Sequence, residues 1–166
     1  MFSQNFWPES FPINDICASL VDKGLKVDIL TGKPNYPEGK IFSGYRTWGC
    51  MTESYRGAEV NRIPLRPRGS SSIGLALNYL FFVFSGLLVA PFLLRKKKFD
   101  VIFIYAPSPV LQAIPAIFMG FLKDCPVVIW VQDLWPESLS ATGYVSNKVV
   151  LKLVEWVVRL SIGTAT

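Results

Sequence analysis

Short apolar runs alternate with amphipathic stretches along this chain, and the alternation predicts repeated strand–helix units. Continuous apolar runs rich in β-branched or aromatic residues predict buried parallel strands, at residues 25–30, 59–65, 99–105 and 127–131. Apolar residues at helical spacing predict helices, at residues 12–23, 110–122 and 147–162. Residues 1–3 predict a first strand that is cut short. This order predicts an α/β fold, a Rossmann-like parallel sheet flanked by helices, in one domain over residues 1–166.

The interval from Pro34 to Gly57 has turn residues throughout and predicts a long loop. It interleaves five aromatic residues with three basic ones, a composition that argues against plain disorder. Aromatic and basic side chains together suit single-stranded nucleic acid, a sugar face or a lipid headgroup. The chain carries no signature of an RNA-binding module, so we expect no nucleic-acid partner.

The segment from Ile73 to Leu94 runs for 22 residues without a charge, and by length it is a candidate transmembrane helix. A span is disfavoured because the strands before and after it belong to one sheet, and one crossing would place them on opposite sides of the bilayer. We therefore predict a long helix that packs on the sheet and dips its excess apolar surface into the membrane interface. A basic cluster follows it and suits anionic headgroups. Its members are Arg95, Lys96, Lys97 and Lys98.

Composition narrows the possible functions. The chain is 51% hydrophobic with a net charge of +5, and the stretch between Lys40 and Lys98 carries ten Lys or Arg against two glutamates. Such a balance points to anionic partners. The chain has no histidine, which excludes His-based catalytic triads and His metal sites within it. Its three cysteines are far apart and form no Cys-x-x-Cys, so no metal site is expected.

One seven-residue pattern occurs twice. Residues 132–138 read Gln-Asp-Leu-Trp-Pro-Glu-Ser after the strand predicted at 127–131, and residues 4–10 read Gln-Asn-Phe-Trp-Pro-Glu-Ser after residues 1–3. Pro and Glu suit the first turn of a helix, so each copy predicts a strand-to-helix turn. Ligands of open α/β sheets bind where strands end at such turns. We expect both turns to open onto one cleft; a shared habit of helix starts is the alternative.

Three motifs follow one another along the chain. They are Asn5-Phe6-Trp7-Pro8-Glu9, then Leu30-Thr31-Gly32 with Pro34-Asn35-Tyr36-Pro37 behind it, then Gln132-Asp133-Leu134-Trp135-Pro136-Glu137. Together, in this order, they resemble the acceptor-side domain of family 4 glycosyltransferases of the GT-B architecture, and among these the bacterial members associated with O-antigen sugar transfer. The resemblance covers nearly the whole chain. It rests on the combination, since each motif alone is only a helix start or a turn.

The resemblance implies an enzyme of two Rossmann-like domains around a cleft, with this chain as the N-terminal half. This half binds the acceptor, expected to be a polyprenyl-diphosphate-linked sugar. The C-terminal domain, which binds the nucleotide-sugar donor and carries a glutamate pair, is missing from the chain, so the chain alone is expected to be half an enzyme. Transfer retains the anomeric configuration and requires no metal or other cofactor. The expected location is peripheral, on the cytoplasmic face of the inner membrane, in O-antigen or capsule synthesis.

Carried over residue by residue, the resemblance gives one candidate catalytic residue, Asp133. A carboxylate there would orient the acceptor hydroxyl or take up its proton; the alternative is a cap for the following helix. The candidate acceptor-binding residues are Asn5, Trp7, Glu9, Asn35, Tyr36, Arg66, Arg68, Trp135 and Glu137. The two arginines suit a diphosphate, since a guanidinium fork fits phosphate oxygens. The glutamates equally suit helix starts, and the tryptophans equally suit core positions.

Two other interpretations stay open at this point. One is a non-enzymatic, membrane-anchored α/β protein in which residues 73–94 form a transmembrane helix. The other is a mononucleotide-binding α/β module of a different kind. The chain lacks a Gly-x-Gly-x-x-Gly or Gly-Lys-Ser loop, which counts against the second.

Overall fold

The computed structural model describes residues 1–107 and 110–132, which form a mixed α/β fold. The helices are α1 (Pro12–Asp22), α2 (Ser72–Leu93) and α3 (Ala113–Lys123), the last entered through a single 3-10 turn at Val110–Gln112. The strands are β1 (Asp28–Thr31), β2 (Met51–Tyr55), β3 (Ala58–Arg62), β4 (Ile102–Ala106) and β5 (Val127–Val131). The helix predicted at 147–162 lies outside the described residues.

Residues 1–3 join two groups of strands into one sheet. Phe2 forms parallel bridges to Leu30 of β1 and to Ile104 of β4. Its N–H donates to the Phe103 carbonyl at 2.8 Å, and the Ser3 N–H donates to the Leu30 carbonyl at 3.1 Å. β1 pairs in parallel with β3, and β4 pairs in parallel with β5. The order across the sheet is therefore β2, β3, β1, residues 1–3, β4 and β5.

The prediction of an all-parallel sheet is wrong at one edge. β2 pairs antiparallel with β3, from Met51 opposite Arg62 to Tyr55 opposite Ala58. The two-residue turn between them, Arg56-Gly57, has φ angles of +46° and +93°, as a tight hairpin turn requires. The long loop predicted from Pro34 to Gly57 thus ends in a strand. The sequence pattern missed it because β2 is an edge strand with mostly exposed, polar residues and no apolar run.

Side chains alternate between two core layers on opposite faces of the sheet, as the period of a strand requires. One layer packs α1 against the sheet and contains Phe6, Ile13, Cys17, Ile29, Val60 and Tyr105. The other packs α2 and α3 against the opposite face and contains Phe2, Leu30, Ile104, Phe82, Ala90, Ala116 and Met119. Both faces of the central strands are therefore covered, which explains why their sequences read as continuous apolar runs.

α2 is the crossover helix between β3 and β4, and the prediction of a long helix packed on the sheet is confirmed. Its first turn is capped by the Ser71 hydroxyl, which accepts from the Gly74 N–H at 3.0 Å. Among the described residues it is the one helix long and apolar enough to cross a membrane, and 33% of its most apolar stretch is buried inside the fold. Gly86 faces α3, where a Cβ would lie 2.7 Å from the Cβ of Pro115.

Two neighbouring residues on the packed side of α2, Ser85 and Gly86, predict substitutions with opposite effects on the free energy of unfolding. Gly86→Val would force α2 away from α3, and we expect a loss of about 2–3 kcal/mol in the free energy of unfolding. Ser85→Ala removes a buried hydroxyl that has no hydrogen-bond partner among the described residues, and should raise the free energy of unfolding by about 1 kcal/mol. Urea denaturation of both variants measures this. A wild-type midpoint for Gly86→Val would contradict the close helix contact.

Candidate functional site

Three polar segments leave the same edge of the sheet, at the carboxyl ends of its parallel strands. Residues 4–11 follow the strand at residues 1–3, residues 32–37 follow β1, and residues 63–68 follow β3. The Gly32 N–H and the Thr31 hydroxyl both donate to the Gln4 carbonyl at 3.1 Å, which holds the first two segments side by side. This edge is where open α/β sheets bind their ligands.

Glu9 joins the first segment to the second through its carboxylate. The side chain is 3% exposed and accepts three backbone N–H groups, from Phe6 at 3.1 Å, Asn35 at 2.8 Å and Tyr36 at 2.7 Å. Burial raises the pKa of this carboxyl group, although the hydrogen bonds and the nearby Arg62 oppose the rise. α1 begins at Pro12 without a side-chain cap, so Glu9 does not serve as the cap of that helix. Glu9 fixes the relative position of two loops.

Asn35 extends the connection to the third segment. Its side chain is buried, its Nδ2 donates to the Lys33 carbonyl at 3.0 Å, and its Oδ1 accepts from the Arg68 N–H at 3.0 Å. Both ends of the amide are therefore occupied by the backbone. The three segments are linked in series by Glu9 and Asn35, and both side chains are buried in this arrangement.

Arg62 is the centre of this edge, although it belongs to none of the three sequence motifs. Its side chain is 0% exposed and its guanidinium donates to the Trp7 carbonyl, to the Gly32 carbonyl at 3.0 Å and to the Glu53 carboxylate. The Tyr45 ring stacks on it with 4.9 Å between the guanidinium carbon and the ring centroid. One feature of the sequence does point to it: Arg62 is the one basic residue inside the strand predicted at 59–65, and a charge buried in a strand needs buried partners.

Lys33 places a second buried cation close to Arg62. Lys33 is 2% exposed, and its ammonium group makes no hydrogen bond or ion pair with the described residues. Burial lowers the pKa of its ammonium group, and the charge of Arg62 lowers it further. These two residues bring two positive charges together, and the Glu53 carboxylate, which pairs with Arg62, partly compensates them.

A second polar network crosses the junction between residues 1–3 and β4. The Gln4 N–H donates to Gln112 Oε1 at 2.8 Å, and Gln4 Nε2 donates to Asn78 Oδ1 at 2.6 Å. Asn78 in turn donates from Nδ2 to the Arg66 carbonyl. This chain of amides ties the first segment to α2, to the turn before α3 and to the third segment. These hydrogen bonds explain why α2, an otherwise apolar helix, carries an amide side chain at Asn78.

Five of the candidate acceptor-binding residues have exposed or half-exposed side chains: Asn5, Trp7, Tyr36, Arg66 and Arg68. Tyr36 is 41% exposed, and the guanidinium carbon of Arg68 lies 5.6 Å from its ring centroid. Trp7 is partly exposed and packs on Tyr55 with ring centroids 5.5 Å apart, while Arg66 is exposed. Asn5 is half-buried and its carbonyl accepts from the Ser3 hydroxyl. The remaining candidates Asp133, Trp135 and Glu137 lie outside the described residues.

The predicted membrane cluster lies at the opposite edge of the sheet. Arg95, Lys96 and Lys98 are exposed, but the Lys97 ammonium contacts the carboxylates of Asp28 and Glu59 at the amino ends of β1 and β3. Burial lowers the pKa of Lys97, but its hydrogen bonds to those two carboxylates and their negative charges together raise it by more. Lys97 is therefore held by the sheet, and three of the four basic residues face outward.

The described residues contain no group of three or more His, Cys, Asp or Glu side chains that could hold a metal ion. No family model, curated protein or solved structure matches this chain.

Arg62 offers a test of how the site is held together. Arg62→Lys keeps the charge but removes the fork that reaches the Trp7 and Gly32 carbonyls and Glu53 at once. We expect a loss of about 2–3 kcal/mol in the free energy of unfolding, since buried acceptors without donors are costly. Arg46→Lys, at an exposed position, is the matched control and should stay within about 0.5 kcal/mol of wild type. Equal denaturant midpoints for the two variants would refute the role of Arg62.

Glu9 predicts a pH dependence of stability. Its pKa is raised in the folded state, so its contribution to stability is fully present below the unfolded pKa and is lost as pH rises through the folded pKa. Glu9→Gln cannot ionise and should lack this fall, which begins near the ordinary value of 4.5, so the difference in stability between the two proteins should change as pH rises above that value. The measurement is the urea midpoint of both proteins across that range. Parallel curves would mean that Glu9 has an unperturbed pKa.

Proposed function

We propose that this chain is the acceptor-binding half of a retaining glycosyltransferase, which moves a sugar from a nucleotide-sugar to a membrane lipid-linked saccharide in bacterial surface polysaccharide synthesis. The observation that carries the proposal is the junction at Glu9. Its carboxylate joins residues 5–9 to Asn35 and Tyr36, so two of the three motifs on which the resemblance rests meet at one edge of the sheet.

The strand order supports a Rossmann-like half of the GT-B architecture. Counted along the chain, with residues 1–3 as the first strand and the antiparallel edge strand β2 left out, the parallel strands run in the order 3-2-1-4-5. Doubly wound dinucleotide-binding sheets use this order, and their ligands bind at the point where it reverses. Here that point lies between residues 1–3 and β4, where Gln4 and Gln112 meet.

The exposed groups at the carboxyl edge suit a sugar linked to a diphosphate. Tyr36 and Trp7 offer aromatic faces for a sugar ring, and Arg66 and Arg68 offer guanidinium groups for phosphate oxygens. The buried cation Lys33 adds to the positive potential of the same edge. Asp133 keeps its proposed role at the acceptor hydroxyl. The nucleotide-sugar is bound mainly by a separate C-terminal domain, and the reaction needs no metal.

The packing of α2 favours a peripheral enzyme over a membrane-spanning one. One side of α2 packs against the rest of the fold through Phe82, Val83, Gly86 and Ala90. A helix held against the fold in this way cannot also be a single transmembrane helix surrounded by lipid. The opposite face of α2 and the exposed residues Arg95, Lys96 and Lys98 are free to approach the cytoplasmic surface of the inner membrane.

The test uses the complete two-domain enzyme with a nucleotide-sugar and a polyprenyl-diphosphate-linked saccharide. Arg68→Ala should raise the KM for the lipid-linked acceptor about tenfold or more, because a charge-assisted contact to phosphate is lost. The KM for the nucleotide-sugar and the melting temperature should stay unchanged. Lys23→Ala, which removes an exposed charge at the end of α1, is the control. No sugar transfer to any lipid-linked saccharide by the wild-type enzyme would overturn the proposed function.

A further inference from the structure

Trp48 is a large aromatic side chain held at the surface instead of in the core. It is 70% exposed, and its ring meets Phe81 of α2 edge-on with centroids 5.6 Å apart. The neighbouring Thr47 carbonyl accepts from the Leu65 N–H at 3.2 Å, which fastens this part of the loop beside the carboxyl edge of the sheet. Trp is the side chain enriched at the boundary between hydrocarbon and water, where its ring is apolar and its N–H is solvated.

α2, beside Trp48, has its more apolar face turned outward. Its buried face includes Gly74, Asn78, Ser85, Gly86 and Ala90 together with Phe82 and Val83. Its exposed large side chains recur every three or four residues and form one row: Ile73, Leu77, Leu80, Phe84, Leu88 and Phe92. Water-facing helices carry polar residues on their outer side. The inversion in α2 indicates an apolar environment outside it.

α3 lies against α2 on the same face of the sheet and continues this outer surface. It exposes Phe118, Phe121 and Leu122, and Lys123 is the single charged residue in the two helices together. None of the described residues covers the exposed row on α2 or these side chains. We call the outer side of α2 and α3 together with Trp48 the docking face.

Charges at both ends of the docking face indicate which apolar surface it meets. Arg66 is exposed just before α2, and Arg95, Lys96 and Lys98 are exposed just after it, near the carboxylates Asp100 and Asp124. Basic residues thus exceed acidic ones at the ends, and no carboxylate lies along either helix. An apolar band with cations at its ends complements an anionic lipid bilayer in which the helix lies along the surface.

We propose that Trp48 is a membrane anchor that inserts into the interface of an anionic bilayer beside α2 and sets how the carboxyl edge meets the lipid headgroups. Asn78 of α2 holds the Arg66 carbonyl, so the depth of α2 also determines the depth of the third polar segment. With Trp48 inserted, Arg66 and Arg68 lie at the level of lipid phosphates. This inference rests on the proposed function, and it adds the orientation in which a lipid-linked diphosphate reaches the site.

Partitioning onto vesicles of phosphatidylcholine with phosphatidylglycerol, free of any lipid-linked saccharide, tests the anchor. Trp48→Ser should weaken partitioning about tenfold or more, because an aromatic ring no longer leaves water. Trp48→Phe should retain most of the binding. The matched control is Leu25→Ser, which removes an exposed apolar side chain (54%) before β1, away from the docking face, and should bind as wild type does. Circular dichroism establishes that each variant is folded.

A second measurement reports the position of the indole itself. Lipids brominated in the acyl chain quench tryptophan emission only when the ring lies within the bilayer. The wild-type chain should lose part of its emission on these vesicles, and Trp48→Phe, which still binds, should lose much less. Equal quenching of the two proteins would overturn the proposal even if Trp48→Ser failed to fold.

Other outcomes identify other occupants. Unchanged vesicle partitioning in Trp48→Ser would overturn the anchor. A dimer that Trp48→Ser dissociates, without vesicle binding by the wild type, would identify a second copy as the occupant and also overturn it. Vesicle binding that depends on Trp48, in an enzyme that transfers no sugar to lipid-linked saccharides, would support the anchor and count against the proposed function alone.

Discussion

The buried guanidinium of Arg62 is the constraint on which the carboxyl edge depends. Arginine does not lose its proton in proteins, so a fully buried guanidinium must be surrounded by acceptors. The Trp7 carbonyl, the Gly32 carbonyl and Glu53 supply them, from the first polar segment, the second polar segment and the edge strand β2. These groups are distant in sequence, so satisfying one charge fixes three parts of the chain at once.

That arrangement divides the polar residues of the motifs into two groups. Glu9 and Asn35 use their oxygens and nitrogens on backbone groups, and they hold the loops in place. Tyr36 and Arg68 stand on those loops with exposed surface. Side chains that contact a ligand are effective when others fix their position.

The sequence pattern predicts buried strands and helices, because burial leaves a run of apolar residues. It does not reveal features that depend on contacts between residues distant in sequence. β5 was predicted with its observed bounds because it is a continuous apolar run, whereas β2 is an exposed edge strand without one. Arg62 could not be recognised as a centre, since its partners Trp7 and Gly32 lie 55 and 30 residues away. Glu9 can be predicted to lie near the site because it belongs to a strand-to-helix turn. The sequence does not reveal that the Glu9 carboxylate accepts hydrogen bonds from the Asn35 and Tyr36 N–H groups.

α2 shows why composition alone could not decide between a span and a packed helix. Its hydrophobicity is high all round because two different environments select for it: the sheet on one side and the outer surface on the other. The sheet side accepts small and polar residues such as Gly86, which lets α3 approach, and Asn78, which joins the amide network. The outer side has no such partners among the described residues, and large apolar side chains occupy most of its exposed positions. The large apolar side chains on the outward face of α2 are the basis of the proposed contact with a bilayer, and Asn78 on its packed side connects the helix to the candidate site.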